Sequence, residues 1–415
     1  MKNLETLIQE LCPDGVEFVK LGDVGTFYGG LSGKSKADFT DGNAKFVTYM
    51  NVYSNPALNT DIKDFVKIEE GEKQNKVLYG DVLFTGSSET PNECGMTSVL
   101  TEKTEEDLYL NSFCFGYRFN DIDNVNPGFM KHLFRSHMLR KALAKTASGV
   151  TRFNVSKKKV ANIEIPLPPI EVQTEIVHIL DKFTSLEAEL EAELDCRKRQ
   201  YEYYRDKLLS FENVGGQEVK WKKMSEVCKN ICSGGTPLTS KAEYYDGNIP
   251  WLRTQEVDYC EIHSTLRNIT QLGLDNSSAK MIPANCVIVA MYGSTAAKVA
   301  INKIPLCTNQ ACCNLEIDED KALVRYVYQW ICKQYEVLKA MGEGSQHNIN
   351  AQKVKDFKIP IPSLEEQHRI VSILDRFESL TTSLQSGLPA EIVARRQQYE
   401  HYRDKLLTFK RKGAA

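Results

Sequence analysis

The chain contains itself twice. Residues 165–186 (IPLPPIEVQTEIVHILDKFTSL) align with 359–380 (IPIPSLEEQHRIVSILDRFESL) at a constant offset of 194, without a gap. Residues 201–211 (YEYYRDKLLSF) align with 399–409 (YEHYRDKLLTF) at an offset of 198, so the second copy carries four extra residues between its blocks. We call 165–186 and 359–380 the A segments, and 201–211 and 399–409 the B segments. Matches of this length do not arise by chance, so any fold must provide two equivalent units. The stretches before the A segments are related more weakly. Residues 29–52 align with 234–257 at offset 205, sharing Gly29-Gly30 with Gly234-Gly235, Ser35-Lys36-Ala37 with Ser240-Lys241-Ala242, and Asp41-Gly42-Asn43 with Asp246-Gly247-Asn248. GDVLFTGSS (80–88) resembles NCVIVAMYGS (285–294), and Asn154-Val155-Ser156 matches Asn348-Ile349-Asn350. Alike connectors and divergent heads suit a molecule whose rods do one job while its heads read different things.

Periodicity assigns structure to these parts. Alternating runs at Ala44–Val52, Asp81–Thr85, Phe113–Phe119, Cys286–Met291 and Ala311–Ile317 predict strands, with Gly-Asn, Asp-Gly and Gly-Ser turns between them. Pro127–Thr146 and Lys321–Met341 predict a closing helix in each head. In the first A segment and beyond, Ile176, Ile179, Leu180, Phe183, Leu186, Leu190 and Leu194 recur at three- and four-residue steps. Ile370, Ile373, Leu374, Phe377, Leu380 and Leu384 repeat the stripe. Pro168-Pro169 and the Ser363…Glu366 capping box mark helix starts. No Gly or Pro interrupts Gln173–Phe211, a helix of roughly 58 Å at about 1.5 Å per residue. Such amphipathic helices need partners, and the duplicate offers an antiparallel, coiled-coil-like pair in which the two arms Leu208–Phe211 and Leu406–Phe409 pack together. Ser386-Gly387-Leu388-Pro389 should break the second helix near its middle.

Inside the first helix, Leu186-Glu-Ala-Glu is repeated as Leu190-Glu-Ala-Glu before Leu194. Four residues advance a helix by about 6 Å and turn it by about 400°, or about 40° net. One base pair turns B-DNA by about 34–36°. The tetrad therefore suits a length unit between the heads; the alternative is a good helix-former with surface glutamates.

Several function classes are disfavoured. No run of 18 apolar residues occurs, and the acids in MKNLETLIQELCPDG do not suit a signal peptide, so a cytoplasmic protein is expected. Twelve cysteines include no CxxC pair; Cys228-x3-Cys232 and Cys307-x4-Cys312-Cys313 lack neighbouring histidines, so core residues and no metal site are expected. There is no GxxxxGK[ST] phosphate loop, no Asn/Asp-Pro-Pro-aromatic methylase motif beyond the fragment Asn55-Pro56-Ala57, and no histidine-centred triad. Pro13-Asp14, Glu17 and Lys20 are too compressed for a nuclease centre. A net charge of −3 hides one patch: Lys131 to Ile163 holds nine basic residues and no Asp or Glu. Either a nucleic-acid face or a solvated helix face balanced by acidic loops fits it.

The A segments, the YRDKLL boxes at 204–209 and 402–407, and the opening LIQELCPDGVEFVKLGDV together resemble the DNA-specificity subunits of type I restriction–modification enzymes. The resemblance spans essentially the whole chain. It implies an α+β architecture: two tandem mixed α/β target-recognition domains, related by a pseudo-twofold repeat and separated by two long antiparallel helices. The implied layout is an N-terminal helical segment (1–15) packed near the C-terminal end, a first recognition domain (16–165), a central helix (166–213), a second recognition domain (214–359) and a C-terminal helix (360–415). The subunit would be non-catalytic. It would bind double-stranded DNA and two methylation subunits, with restriction and translocation subunits joining through them. S-adenosylmethionine, ATP and magnesium would sit on those partners and none on this chain. Leu186, Leu190, Leu194, Tyr204, Leu208, Leu380, Leu384, Tyr402 and Leu406 are expected to serve as spacer and partner-docking positions.

Base edges are read by Arg, Lys, Asn and Gln on loops or helix ends, and phosphates by Lys, Arg, Ser and amides. Candidates in the first head are Thr151, Arg152, Asn154, Lys157, Lys158 and Lys159, then Lys34 and Lys36. In the second they are Gln346, His347, Asn348, Asn350 and Lys353, then Thr239, Lys241, Arg253 and Tyr292. Asn154 and Asn348 could instead cap the short segments that follow. Two rivals stand: a helical scaffold or dimerisation protein whose heads bind no DNA, and a methylase or nuclease with a degenerate motif.

Overall fold

A computed structural model describes residues 4–211, 219–343, 348–382 and 387–413. The chain divides into two compact units, Met1–Glu191 with Glu391–Ala415, and Ala192–Ala390. Among the described residues, no helix is long and apolar enough to cross a membrane and no His, Cys, Asp and Glu side chains gather into a metal-holding group.

The heads share a sheet. In the first unit, antiparallel strands run in the order Gly25–Gly29, Cys114–Phe119, Val82–Thr85, Thr97–Val99. In the second, the order is Cys228–Ser233, Cys312–Ile317, Val287–Ala290, Val299–Asn302, with Cys260–Ile262 added at the edge. A second, mixed sheet accompanies each, built around Ala44–Val47 and Tyr245–Leu252. In each duplicated Gly-Gly pair a glycine is required sterically, the second of the pair in the first head and the first in the second head. A Cβ on Gly30 would lie 2.1 Å from the Asn111 carbonyl, and one on Gly234 would lie 1.9 Å from that of Thr308. Only glycine lets the first strand leave the sheet there.

Local chemistry shortened several expected elements. The run Ala44–Val52 is a strand only to Val47; Thr48 then caps helix Tyr49–Ser54 through the Asn51 amide. Each closing helix is two: Pro127–Leu133 and His137–Ala144, with Ser136 capping the latter, and Val324–Lys333 followed by Tyr335–Ala340. The connector helix, Ile170–Leu208, is continuous over 39 residues. Its duplicate is divided into Leu364–Thr382 and Gly387–Leu406, with Pro389 in the first turn. Gly387 (φ +81°) passes so near the preceding helix that a Cβ would meet the Leu380 carbonyl at 2.7 Å.

The helices pair crosswise. In the first unit the first A segment packs on the second B segment: Phe183 stacks on Tyr402 at 5.3 Å and 23°, and Arg396 bonds Glu187 and Glu191. Contacts descending one helix while ascending the other make that pair antiparallel. In the second unit the second A segment packs on the first B segment, and Tyr204 stacks on Phe377 at 5.4 Å and 23°. These are equivalent pairs with the roles of the two copies exchanged. The two arms Leu208–Phe211 and Leu406–Phe409, expected to share one seam, each belong to the core of a different unit. Leu208, Leu209 and Phe211 join the second unit's core, and Leu406, Leu407 and Phe409 the first's. Helix Leu4–Leu11 and the turn after it lie on that first core, where the Val16 amide donates to the Lys410 carbonyl and the Lys412 amide to that of Val16.

A buried glutamine ties each head to its A helix. Gln173 accepts from the Asn126 amide and donates to the carbonyls of Asn124 and Pro168. Gln367 accepts from the Leu323 amide and donates to the carbonyls of Lys321 and Pro362. Both side chains are fully buried, and the same geometry occurs in each unit.

A second tie is specific to the first unit. His132, 1% exposed, lies 2.7 Å from Asp181 through Nε2 and 2.9 Å from the Tyr399 hydroxyl through Nδ1. Lys131 bonds the same Asp181 oxygen at 2.7 Å. Burial raises the pKa of Asp181, but hydrogen bonds from His132 and Lys131 outweigh it and hold the carboxyl at about 2. Desolvation lowers the His132 pKa despite Asp181, and the nearby Lys131 and Arg403 add to the lowering. A neutral ring donating from Nε2 and accepting at Nδ1 satisfies every partner. Below about pH 6.5 the unfolded histidine takes a proton that the folded one refuses. The first unit should thus lose stability as pH falls from about 6.5 to the lower folded value, by about 1.4 kcal/mol for each pH unit crossed, and level off below it. Urea midpoints read by hydrogen exchange at Phe129–Leu133 should show this slope, and His132→Gln should flatten it; equal slopes in both proteins would refute the assignment.

Candidate nucleic-acid interface

The basic run splits into struts and free cations. Lys131 is taken by Asp181. Arg135 donates to the carbonyls of Thr97, Val52 and Tyr53, and burial lowers its pKa to about 10. Arg140 clasps the carbonyls of Asn92, Cys94 and Gly95. These three brace the head from inside. Lys141, Lys145, Arg152, Lys157, Lys158 and Lys159 are exposed, and none forms an ion pair among the described residues. Cations left in water without carboxylates are available to phosphates.

A hairpin presents part of this set. Ala147–Ser148 pairs with Phe153–Val155, which pairs in turn with Ser87–Ser88. Between the strands, Val150 is 94% exposed and Thr151 is exposed beside it. Arg152 is anchored through Nε to the Ser87 hydroxyl at 3.1 Å and lies over the Phe113 ring at 5.5 Å. Asn154 is exposed within the strand, and Ser156 rather than Asn154 caps the short helix Lys157–Val160 that carries Lys157, Lys158 and Lys159. The second head behaves alike: Asn350, not Asn348, is the cap, accepting from the Lys353 amide at 2.9 Å. The cap is the third residue of the matched triplet because the first is still in a strand or bridge.

Two lysine candidates are committed elsewhere. Lys34, its side chain 7% exposed, bonds Glu72 at 2.5 Å, and that bond leads the effects holding the Glu72 carboxyl at about 2. Lys353 bonds Glu343 and the Met341 carbonyl. Neither ammonium is free for a phosphate, because a carboxylate distant in sequence reaches it first. Lys36 is exposed on a short turn. Thr239 and Tyr292 are exposed, Lys241 pairs loosely with Glu243 at 3.4 Å, and Arg253 is half-buried beside Glu256. Asn348 is half-buried, bridging Glu343. Gln346 and His347 lie outside the described residues, as does Leu384.

Along the connector helix the apolar stripe fades. Ile176 and Leu180 are fully buried, Leu190 and Leu194 half-buried, and Leu186 is 36% exposed. Tyr204, Leu380 and Tyr402 are also partly exposed, at 40%, 37% and 41%. Leu208 and Leu406 are half-buried against their cores. Nothing in the spacing warned of Met50 and Phe113, 59% and 58% exposed, which stand beside the hairpin tip. Their types suit a core, and only the fold turns them outward.

The family model for the type I restriction modification DNA specificity domain matches residues 13–195 and again 217–394. The Escherichia coli type I restriction enzyme EcoR124I/EcoR124II specificity subunit is 42% identical over 268 residues, 62% of this chain and 64% of that protein. A putative type I restriction enzyme specificity subunit from Haemophilus influenzae is 33% identical over 307 residues, 70% of this chain and 74% of that one. A chain from a structure described as the basis of complex assembly and conformational transition of the type I R-M system shares the fold. Its TM-score is 0.64 at 17% identity, covering 95% of this chain and 97% of that one.

Proposed function

The chain belongs to the type I restriction–modification DNA specificity family, and on that premise we propose that it is the DNA-reading subunit of such an enzyme. Each head takes one half of a split target in double-stranded DNA, and the continuous helix between them governs the gap. The observation that carries this reading is the tandem match of a DNA-specificity domain to both halves of the chain. It favours DNA-reading heads over a helical scaffold with unrelated ones. The six exposed cations around the first hairpin, without ion pairs among the described residues, support the same assignment.

The chain acts by binding and positioning; methyl transfer and cleavage belong to partner subunits, which bring S-adenosylmethionine, ATP and magnesium. Two methylation subunits, one for each crosswise helix pair, fit the duplicated surface, with partly exposed Tyr402 and Tyr204 at equivalent places. Restriction subunits join through them.

Co-expression with a type I methylation subunit, followed by mapping of methyladenine in host DNA, tests the reading. A two-part motif with a fixed gap is expected. Methylation without such a motif, or activity from the chain alone with S-adenosylmethionine or magnesium, would overturn it.

A further inference from the structure

Two cavities flank the turn Pro91–Glu93 of the first head, and their linings differ in kind. One, of about 600 Å³, is lined by Asn92, His137, Arg140, Lys141 and Lys145, with no carboxylate. The other, of about 640 Å³, is walled by Tyr49, Tyr53, Met50 and Phe113, with Arg152 and the carboxylates Glu89 and Glu93 around it. Tyr49 and Tyr53 are stacked 6.1 Å apart at 18°. Glu93 is occupied, accepting from the hydroxyls of Tyr53, Thr90 and Ser88. Glu89 is exposed and has no hydrogen bond or ion pair among the described residues. Arg152 uses Nε on Ser87 and sits over the Phe113 ring, its centre 5.5 Å from the ring centroid, and its terminal nitrogens have no hydrogen bond among the described residues.

We infer that the second cavity is the base-reading cleft of the first head, with Glu89 as acceptor and Arg152 as donor, and that the first is a phosphate trough. The inference rests on the DNA-reading function proposed above. A phosphate is repelled by Glu89 and gains nothing from Met50 or Phe113. A base edge has what each wall lacks: an amino group of cytosine or adenine for the free carboxylate, paired acceptors of guanine for the guanidinium, and a thymine methyl for the apolar side chains. Lys141 and Lys145 offer only charge, which fits the DNA backbone on the other side of the turn.

The test uses the full chain in its methylation complex. Glu89→Gln and Glu89→Ala should each relax or change one position in one half of the methylated motif, leaving the other half and the gap intact. Binding to the parent site should fall about tenfold to a hundredfold. The double variant Lys141→Ala/Lys145→Ala should keep the motif, weaken binding evenly across sequences and flatten the dependence of affinity on salt. Because Glu89 bonds nothing among the described residues, its variants should melt with the parent protein. A motif unchanged in both Glu89 variants, with binding to the parent site also unchanged, would overturn the inference while leaving the DNA-reading function standing. A parent complex that yields no split motif would instead remove the premise, and the inference with it.

Discussion

Replacing Gln173 with leucine is expected to remove about 3 kcal/mol from the first unit, because three backbone groups lose their partner at once and two of them lie at buried or half-buried residues. The Pro168 carbonyl sits at a buried residue and the Asn126 amide at a half-buried one, and a buried polar group left unmatched costs about 1–3 kcal/mol. Leucine fills the space but answers none of them, so its apolar surface returns little. Against total stabilities of about 5–15 kcal/mol this is a large share. Hydrogen exchange through the helix Pro127–Leu133 should accelerate by about a hundredfold, while helix Val324–Lys333 keeps its protection. Gln367→Leu should give the mirror result. A loss below about 1 kcal/mol would mean that the glutamine is a passenger of the duplicated motif and not the tie between head and helix.

Deleting one Leu-Glu-Ala-Glu tetrad should shorten the gap in the DNA target and leave both half-sites as they were. Four residues fewer take about 6 Å and about 40° of net turn out of the helix. The turn is close to that of one base pair, and the turn is the stricter demand, since a head rotated out of its groove makes no base contact. The tetrad glutamates are more than decoration: Arg396 holds Glu187 and Glu191 together. Removal of 190–193 brings Asp195 to the place of Glu191, so a carboxylate still meets Arg396. The helix seam should therefore survive, and mapped methyladenine should show a gap shorter by about one base pair. An unchanged gap, with the complex still active, would demote the tetrad to helix-forming filler.

What the sequence disclosed was whatever repeats along the chain. The A and B segments, the unbroken run from Gln173 to Phe211 and the break at Gly387-Leu388-Pro389 all follow from spacing and backbone preference, and the helices Ile170–Leu208 and Gly387–Leu406 reflect them. What it concealed depends on residues distant in the chain. Lys34 and Lys353 look like surface cations until Glu72 and Glu343 are brought to them. Arg135 and Arg140 read as members of a basic face, yet they hold backbone carbonyls 38 and 46 residues away. Gln173 and Gln367 stood in the duplicated motif without a role, since a helical glutamine is ordinarily a solvent-facing residue and only burial reveals its three bonds. The exchange of B segments between units was equally unreadable: two nearly identical sequences offer the A helices nearly identical partners, and the choice between them lies in the folded chain.

That exchange sets manufacture and assembly in opposite orders. Domains released from a ribosome usually fold in the order they are made, first end first. Here the earlier unit waits for Tyr399, Leu406 and Leu407, which are made only after the whole of the later unit, whereas the later unit already holds everything it needs once Ala390 has emerged. A stop introduced just after Ala390 would therefore injure the part of the protein translated first, and leave intact the part translated next.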